Sequence, residues 1–176
     1  MIWCPSLMTD PDGSRRGLFM HMVDLNGFGH EQRTATGAVE RADGSVVRMA
    51  DIRPDLRFDP ANRRLLGGTV GVTLEDGRER RFALEVPTST GFQFGAGLYF
   101  GWQGHNHGGW RGELVIDGER LVDCRGPDIA RQLHQIRDTV VRIRDLDTGA
   151  EGLGNCQPII AGGFPTLGLI KESSFW

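Results

Sequence analysis

His105 and His107 flank Asn106, and Glu113 follows in the same glycine-rich tract, which runs from Gly91 to Gly118. A His-x-His pair on a strand turns both imidazoles to one face, and a carboxylate further along completes a metal-ligand set of two histidines and a glutamate. The tract also holds Phe94, Tyr99, Trp102 and Trp110, which include two of the four tryptophans and the only tyrosine. Its nine glycines let backbone approach backbone, or a ligand, closely. Aromatic faces, imidazoles and bare backbone are the materials of a recessed site. Without a metal, a histidinium or a desolvated carboxyl can protonate an alkene, and aromatic rings stabilise developing positive charge through their π faces. His105, His107, Glu113 and Asp138 are then the catalytic candidates, and His21, Phe94, Tyr99, Trp102 and Trp110 the ligand-binding ones. Each also has a plainer role. The aromatics can simply pack a barrel, the imidazoles can hydrogen-bond within a polar mouth, His21 can be a satisfied core residue, and Asp138 can pair with Arg137 or Arg142.

The metal reading resembles the cupin pattern, in which a glycine precedes His-x-His and a glutamate follows after three or four residues. Here five residues separate His107 from Glu113, which reverses the face of the glutamate. The second cupin motif, Pro-x-Gly followed by histidine and asparagine, has as its nearest text Gly163-Phe-Pro-Thr-Leu-Gly168, with no histidine after it. A cupin-like metal-dependent enzyme using His105, His107 and Glu113 is therefore an alternative, and the leading reading needs no metal and no organic cofactor.

The rest of the chain must position these groups. At 176 residues it is one domain, residues 1–176, large enough to bury a core without staples. A net charge of −3 advertises no basic face for nucleic acid. Cys4, Cys124 and Cys156 are far apart and odd in number, which argues against a disulfide framework and reads as small buried hydrophobes. The first ten residues lack the pattern of a signal peptide, and no apolar run reaches membrane-span length, so a cytoplasmic location is the expectation. There is no strand-to-helix phosphate loop, no Gly-x-Ser-x-Gly elbow and no activated cysteine setting.

Strands are expected at 17–25, 32–41, 45–51, 55–58, 65–74, 80–86, 92–103 and 109–116, with 120–123 a short continuation. Turns such as Ala42-Asp-Gly44 and Glu75-Asp-Gly77 join several of them. Pro127 to Arg137, with Ile129, Leu133 and Ile136 on one stripe, predicts a short amphipathic helix. Thr139–Arg144 returns to strand alternation, and the small and apolar residues of 152–169 offer a closing strand. The expected fold is mainly β: an antiparallel β-barrel or strongly curved sheet, with one short helix near 127–137 and an interior large enough for a ligand.

One more resemblance spans roughly residues 17–170. It rests on His107-Gly-Gly-Trp-Arg-Gly-Glu113, on Asp117-Gly-Glu119 and Asp123, on Leu133-His-Gln-Ile-Arg-Asp138, and on Gly152-x-Gly-Asn155. Its specific parts are 105–113 and 133–155. These tracts resemble the C-terminal half of an uncharacterised bacterial family akin to the lipocalin-like group of carotenoid 1,2-hydratases, AttH-type proteins and tocopherol cyclases. The resemblance implies a lipocalin-like barrel with a pocket for a terpenoid, polyene, steroid or aromatic molecule. It also implies hydratase (lyase), cyclase or isomerase chemistry. Members of that group carry two barrels, and this chain has room for one, which points to a partner subunit or a missing half. Three readings stand: an apolar-ligand barrel with acid/base chemistry, the cupin-like metalloenzyme, and a non-catalytic carrier or assembly barrel. An exposed strand edge in a single barrel leaves a homodimer open.

Overall fold

The structure is a computed structural model that describes residues 1–27, 30–88, 91–92, 109–116, 126 and 137–174. Nine strands are present among them: β1 (Ile2–Thr9), β2 (Arg15–Gly27), β3 (His30–Glu40), β4 (Val46–Phe58), β5 (Leu65–Leu74), β6 (Glu79–Glu85), β7 (Gly91–Phe92), β8 (Asp138–Asp145) and β9 (Glu151–Pro158). All pairings are antiparallel, in the order β6-β5-β4-β3-β2-β1-β9-β8. β6 then pairs β8 from Phe82↔Asp145 to Glu85↔Arg142, so eight strands close into a barrel. Past Pro87, β7 continues along the same edge of β8. Closure at β6–β8 joins the two end strands of the sheet, while β3 and β4 pair only over Ala38–Glu40, so among the described residues the rest of that seam keeps unpaired strand edges.

Alternation decides what faces inward. Cys4, Ser6 and Met8 of β1 are buried, as are Leu18, Met20 and Met22 of β2, Val70, Val72 and Leu74 of β5, and Val141 and Ile143 of β8. The residues between them face out. An eight-stranded barrel is just wide enough to be filled by its own side chains or to hold one small ligand, and the inward-facing residues form one apolar cluster. Its core includes all four methionines after Met1: Met8, Met20, Met22 and Met49.

The two ends of the barrel differ. At one end every connection is a tight hairpin: 10–14, 41–45, 75–78 and 146–150. Three of these repeat one motif, Asp-Gly with the glycine at φ 86°, 79° and 82° at Gly13, Gly44 and Gly77. In each, the aspartate accepts the backbone N–H two residues on: Asp12 from Ser14 (2.9 Å), Asp43 from Ser45 (2.8 Å), Asp76 from Arg78 (3.1 Å). Behind them lies an ion cluster. Asp145, 1 % exposed, sits 3.5 Å from Arg16 and 3.7 Å from Arg80, and Arg16 Nε donates to Asp10 at 2.8 Å.

The opposite end carries the short β2–β3 connection and the longer ones, 59–64, 86–137 and the tail beyond Pro158. Here the tail packs down on the core through Leu169, 1 % exposed, with Ile160, Phe164 and Leu167 beside it. Arg63 latches it in place. Its buried guanidinium donates to Ile160 O (2.9 Å), Gly162 O (2.5 Å), Ile170 O (2.7 Å) and Ser173 Oγ (3.1 Å).

Several sequence expectations change in detail. β1 was not foreseen as a strand. Residues 45–51 and 55–58 are not two strands but one, β4, with a register shift between Met49 and Asp51. Proline is tolerated at position 54 because β3 pairs β4 only over Ala38–Glu40, leaving that later edge of β4 without a ladder bond for Pro54 to break. Residues 109–116 are not a strand. They are irregular, and Trp110, Leu114 and Ile116 are more than four-fifths exposed. The helix expected at 127–137 falls outside the described residues except for Arg137, which is buried. Within the described residues the only helical segments are two 3-10 turns, Pro165–Leu167 and Lys171–Ser173, and no helix is long and apolar enough to cross a membrane.

Candidate functional site

Among the described residues the glycine- and aromatic-rich tract meets the sheet at β7, where Phe92 and Asp138 are partners in register. Asp138 lies between Arg137 and the inward-facing Thr139, and its own face is the outer one. It is nevertheless only 9 % exposed. Asn155 Nδ2 donates to its Oδ1 at 2.5 Å, and Gln157 Nε2 lies 3.5 Å from its Oδ2. Two side-chain amides therefore orient this carboxylate, and its remaining lone pairs can still accept from a ligand.

Register extends the site sideways. Gln157 stands opposite Trp3, Trp3 opposite His21, and His21 opposite Thr36. Together with Asp138 these residues form one transverse row across the outside of β8, β9, β1, β2 and β3, near the elaborated end. The flanking residues Cys4, Met20, Met22 and Cys156 are all buried, which fixes the row as outward-facing. His21 and Phe19 lie nearly parallel, ring centroids 6.4 Å apart.

One row toward the tight-turn end the surface becomes apolar. Pro5, Leu7, Phe19, Ala38, Val46 and Leu153 line a shallow groove of about 410 Å³. Gly17, opposite Leu7, leaves the space that makes it a groove rather than a ridge. Leu7 is 77 % exposed and Leu153 59 %, although both are large and apolar. The face thus offers a polar row with an oriented carboxylate, an imidazole and an indole, adjoining an apolar trough.

The expected site residues distribute as follows. Asp138 and His21 share the outer row. Trp110 and Glu113 are exposed in the irregular segment 109–116. His105, His107, Phe94, Tyr99 and Trp102 lie outside the described residues. Among the described residues no cluster of three or more His, Cys, Asp or Glu has the arrangement of a metal site. Asn155 and Gln157 were missed by sequence reasoning. Their signal was the polar, outward alternation Asn155-Cys-Gln157 within a strand that closes the barrel.

The chain belongs to a family of unknown function, DUF8625, whose family model matches residues 24–170. No curated protein and no solved structure matches it.

Proposed function

We propose that this member of the family binds an apolar small molecule with one polar end on the outer face of β8, β9, β1 and β2. The apolar body lies in the groove of Pro5, Leu7, Phe19 and Leu153, and the polar end meets the row of Asp138, Gln157 and His21. The observation that carries this reading is the meeting of three features on one face: the groove, the amide-held carboxylate, and the pairing of the glycine/aromatic tract with the sheet at Phe92 and Asp138. The composition of that tract supports it, since an aromatic- and glycine-rich sequence suits an apolar partner. So does the tracts' resemblance to the lipocalin-like hydratase and cyclase group, whose ligands are polyenes and terpenoids. The interior methionines add adaptability beneath the face, because unbranched thioether chains repack readily. Where proton transfer accompanies binding, Asp138 is its seat.

The test is a non-denaturing mass spectrum of the untagged chain, followed by titration of the delipidated protein with a fatty acid, a retinoid, a terpenoid alcohol and a sterol. The expected result is a co-purifying apolar molecule, or saturable quenching of tryptophan fluorescence by one class. A bare chain mass together with no saturable quenching by any of the four classes overturns the proposal.

A further inference from the structure

Cys4 and Cys156 are 152 positions apart in the chain and adjacent in space. In the β1–β9 ladder Ile2↔Pro158, Trp3↔Gln157 and Ser6↔Gly154 share one antiparallel register, which sets Cys4 directly across from Cys156. Both side chains point into the barrel, both are 0 % exposed, and both are free thiols. Ser6 Oγ lies 3.9 Å from the Cys4 sulfur. The neighbouring Cys4 thiol and burial push the Cys156 thiol well above its ordinary pKa.

Directly opposed residues on antiparallel strands have Cα atoms about 4.5–5.5 Å apart, inside the 4.4–6.8 Å range of disulfides. Their Cβ atoms, about 4.5–5.5 Å apart, must close by roughly an ångström to reach the mean of about 3.8 Å in a disulfide. The ladder is built to yield at this point. The ladder skips Cys4 and Pro5, and Pro5 has no N–H to lose. A bond formed here is feasible but not relaxed, the class that is also readily reduced.

We infer that Cys4 and Cys156 are a thiol–disulfide pair, oxidised to a bond that ties the first strand of the barrel to the last. In the balanced reaction one thiolate attacks oxidised glutathione and expels a glutathione thiolate, forming a mixed disulfide. The second thiolate then attacks the protein sulfur of that intermediate and expels a second glutathione. Two cysteine thiols and one oxidised glutathione thus become one protein disulfide and two glutathione thiols, and the two electrons pass to glutathione. Because both sulfurs are buried, the exchange proceeds through opening of the β1–β9 seam or during folding. This inference is independent of the ligand proposal.

The test is to equilibrate the full chain in glutathione buffers from fully reduced to fully oxidised, both as the native protein and by refolding from denaturant in the same buffers. Remaining thiols are then alkylated under denaturing conditions and the peptides analysed by mass. The expected result in oxidising buffer is loss of two hydrogens, loss of alkylation at both positions, and a peptide containing Cys4 linked to one containing Cys156. The oxidised chain then melts roughly 5–10 °C above the reduced one, and Cys156→Ala abolishes the difference. Full alkylation of Cys4 and Cys156 in the refolding arm, glutathione adducts without the link, or links to Cys124 overturn it. A linked form that melts no higher than the reduced one overturns the claim that the bond fits the native barrel.

Discussion

Replacing Arg63 by methionine is the sharpest probe of how the elaborated end is held. Methionine keeps most of the apolar stem but removes the guanidinium fork, and with it four donated hydrogen bonds to Ile160, Gly162, Ile170 and Ser173. A hydrogen bond contributes about 1 kcal/mol net, and one from a charged donor about 1.5–3 kcal/mol. Against this stands the cost of burying an uncompensated cation, since its recorded partners are carbonyls and a hydroxyl rather than a carboxylate. Taking the neutral value for each bond, the loss is about 4 kcal/mol, concentrated in the tail 159–174 that seats Leu169. At a urea slope of roughly 2 kcal/mol/M the unfolding midpoint falls by about 2 M. Hydrogen exchange of the Gly162, Gly168 and Leu169 amides accelerates first. Two companions sharpen the test. Arg63→Lys retains the charge but not the fork, and recovers only part of the loss. Arg63→Gly relieves a left-handed φ of 63°, worth about 1 kcal/mol, but it also empties the buried stem's volume, so it is no milder than Arg63→Met. A methionine variant within about 1 kcal/mol of the parent, with an equally protected tail, refutes the latch.

Other consequences are more local. Gly152→Ala places a Cβ against the Leu7 carbonyl oxygen and 2.7 Å from Met8 Cα, backbone atoms that cannot step aside. It should cost about 3 kcal/mol and lower the melting temperature by roughly 6–12 °C, and a shift of about 2 °C or less contradicts that packing. The turn aspartates set an acid limit. Asp12 is held below the ordinary carboxylate pKa by the Ser14 backbone N–H, Asp43 by the Ser45 hydroxyl and N–H, and Asp76 by the Arg78 guanidinium and N–H. Depressed folded values mean that their contribution is complete above the unfolded value of about 3.9 and is lost as pH falls through the folded ones. The melting-temperature lead of the parent over an Asp12→Asn/Asp43→Asn/Asp76→Asn triple variant should therefore shrink below about pH 4. A lead that stays constant from neutral pH into that range removes the carboxylates from the account.

What the sequence disclosed was governed by local signals. The Asp-Gly turns at 43–44 and 76–77 and the alternation of 65–74 marked hairpins correctly, because turn chemistry and period-2 burial are written in neighbouring residues. β1 escaped notice because its inward set includes Ser6, its outward set includes Trp3 and Leu7, and Pro5 interrupts it. Only pairing on both sides, with β2 and β9, makes it a strand. Residues 109–116 misled in the opposite sense, since Leu114-Val-Ile116 has strand composition but no partner strand among the described residues. Asp138 was legible as a candidate, while its partners Asn155 and Gln157 were not, because they meet it only through the β8–β9 register. The cysteines are the same lesson at longer range. The sequence read them as small buried thiols, which Cys4 and Cys156 are, and only the β1–β9 register sets the two across from each other.

The central claim is that ligand is held on the outer face, and a pair of exposed leucines tests it without disturbing the core. Leu7→Asp and Leu153→Asp change side chains that are 77 % and 59 % exposed, so folding is preserved. Burying one leucine in a complex is worth about 1.5–3 kcal/mol, and each 1.4 kcal/mol is about tenfold in affinity. The measurement is the dissociation constant of a fluorescent polyene fatty acid for the parent and for both variants, with melting temperatures recorded alongside. The account predicts unchanged melting and affinity weakened about tenfold to hundredfold by either substitution. Saturable binding of undiminished affinity in both variants contradicts it and moves the ligand away from this face.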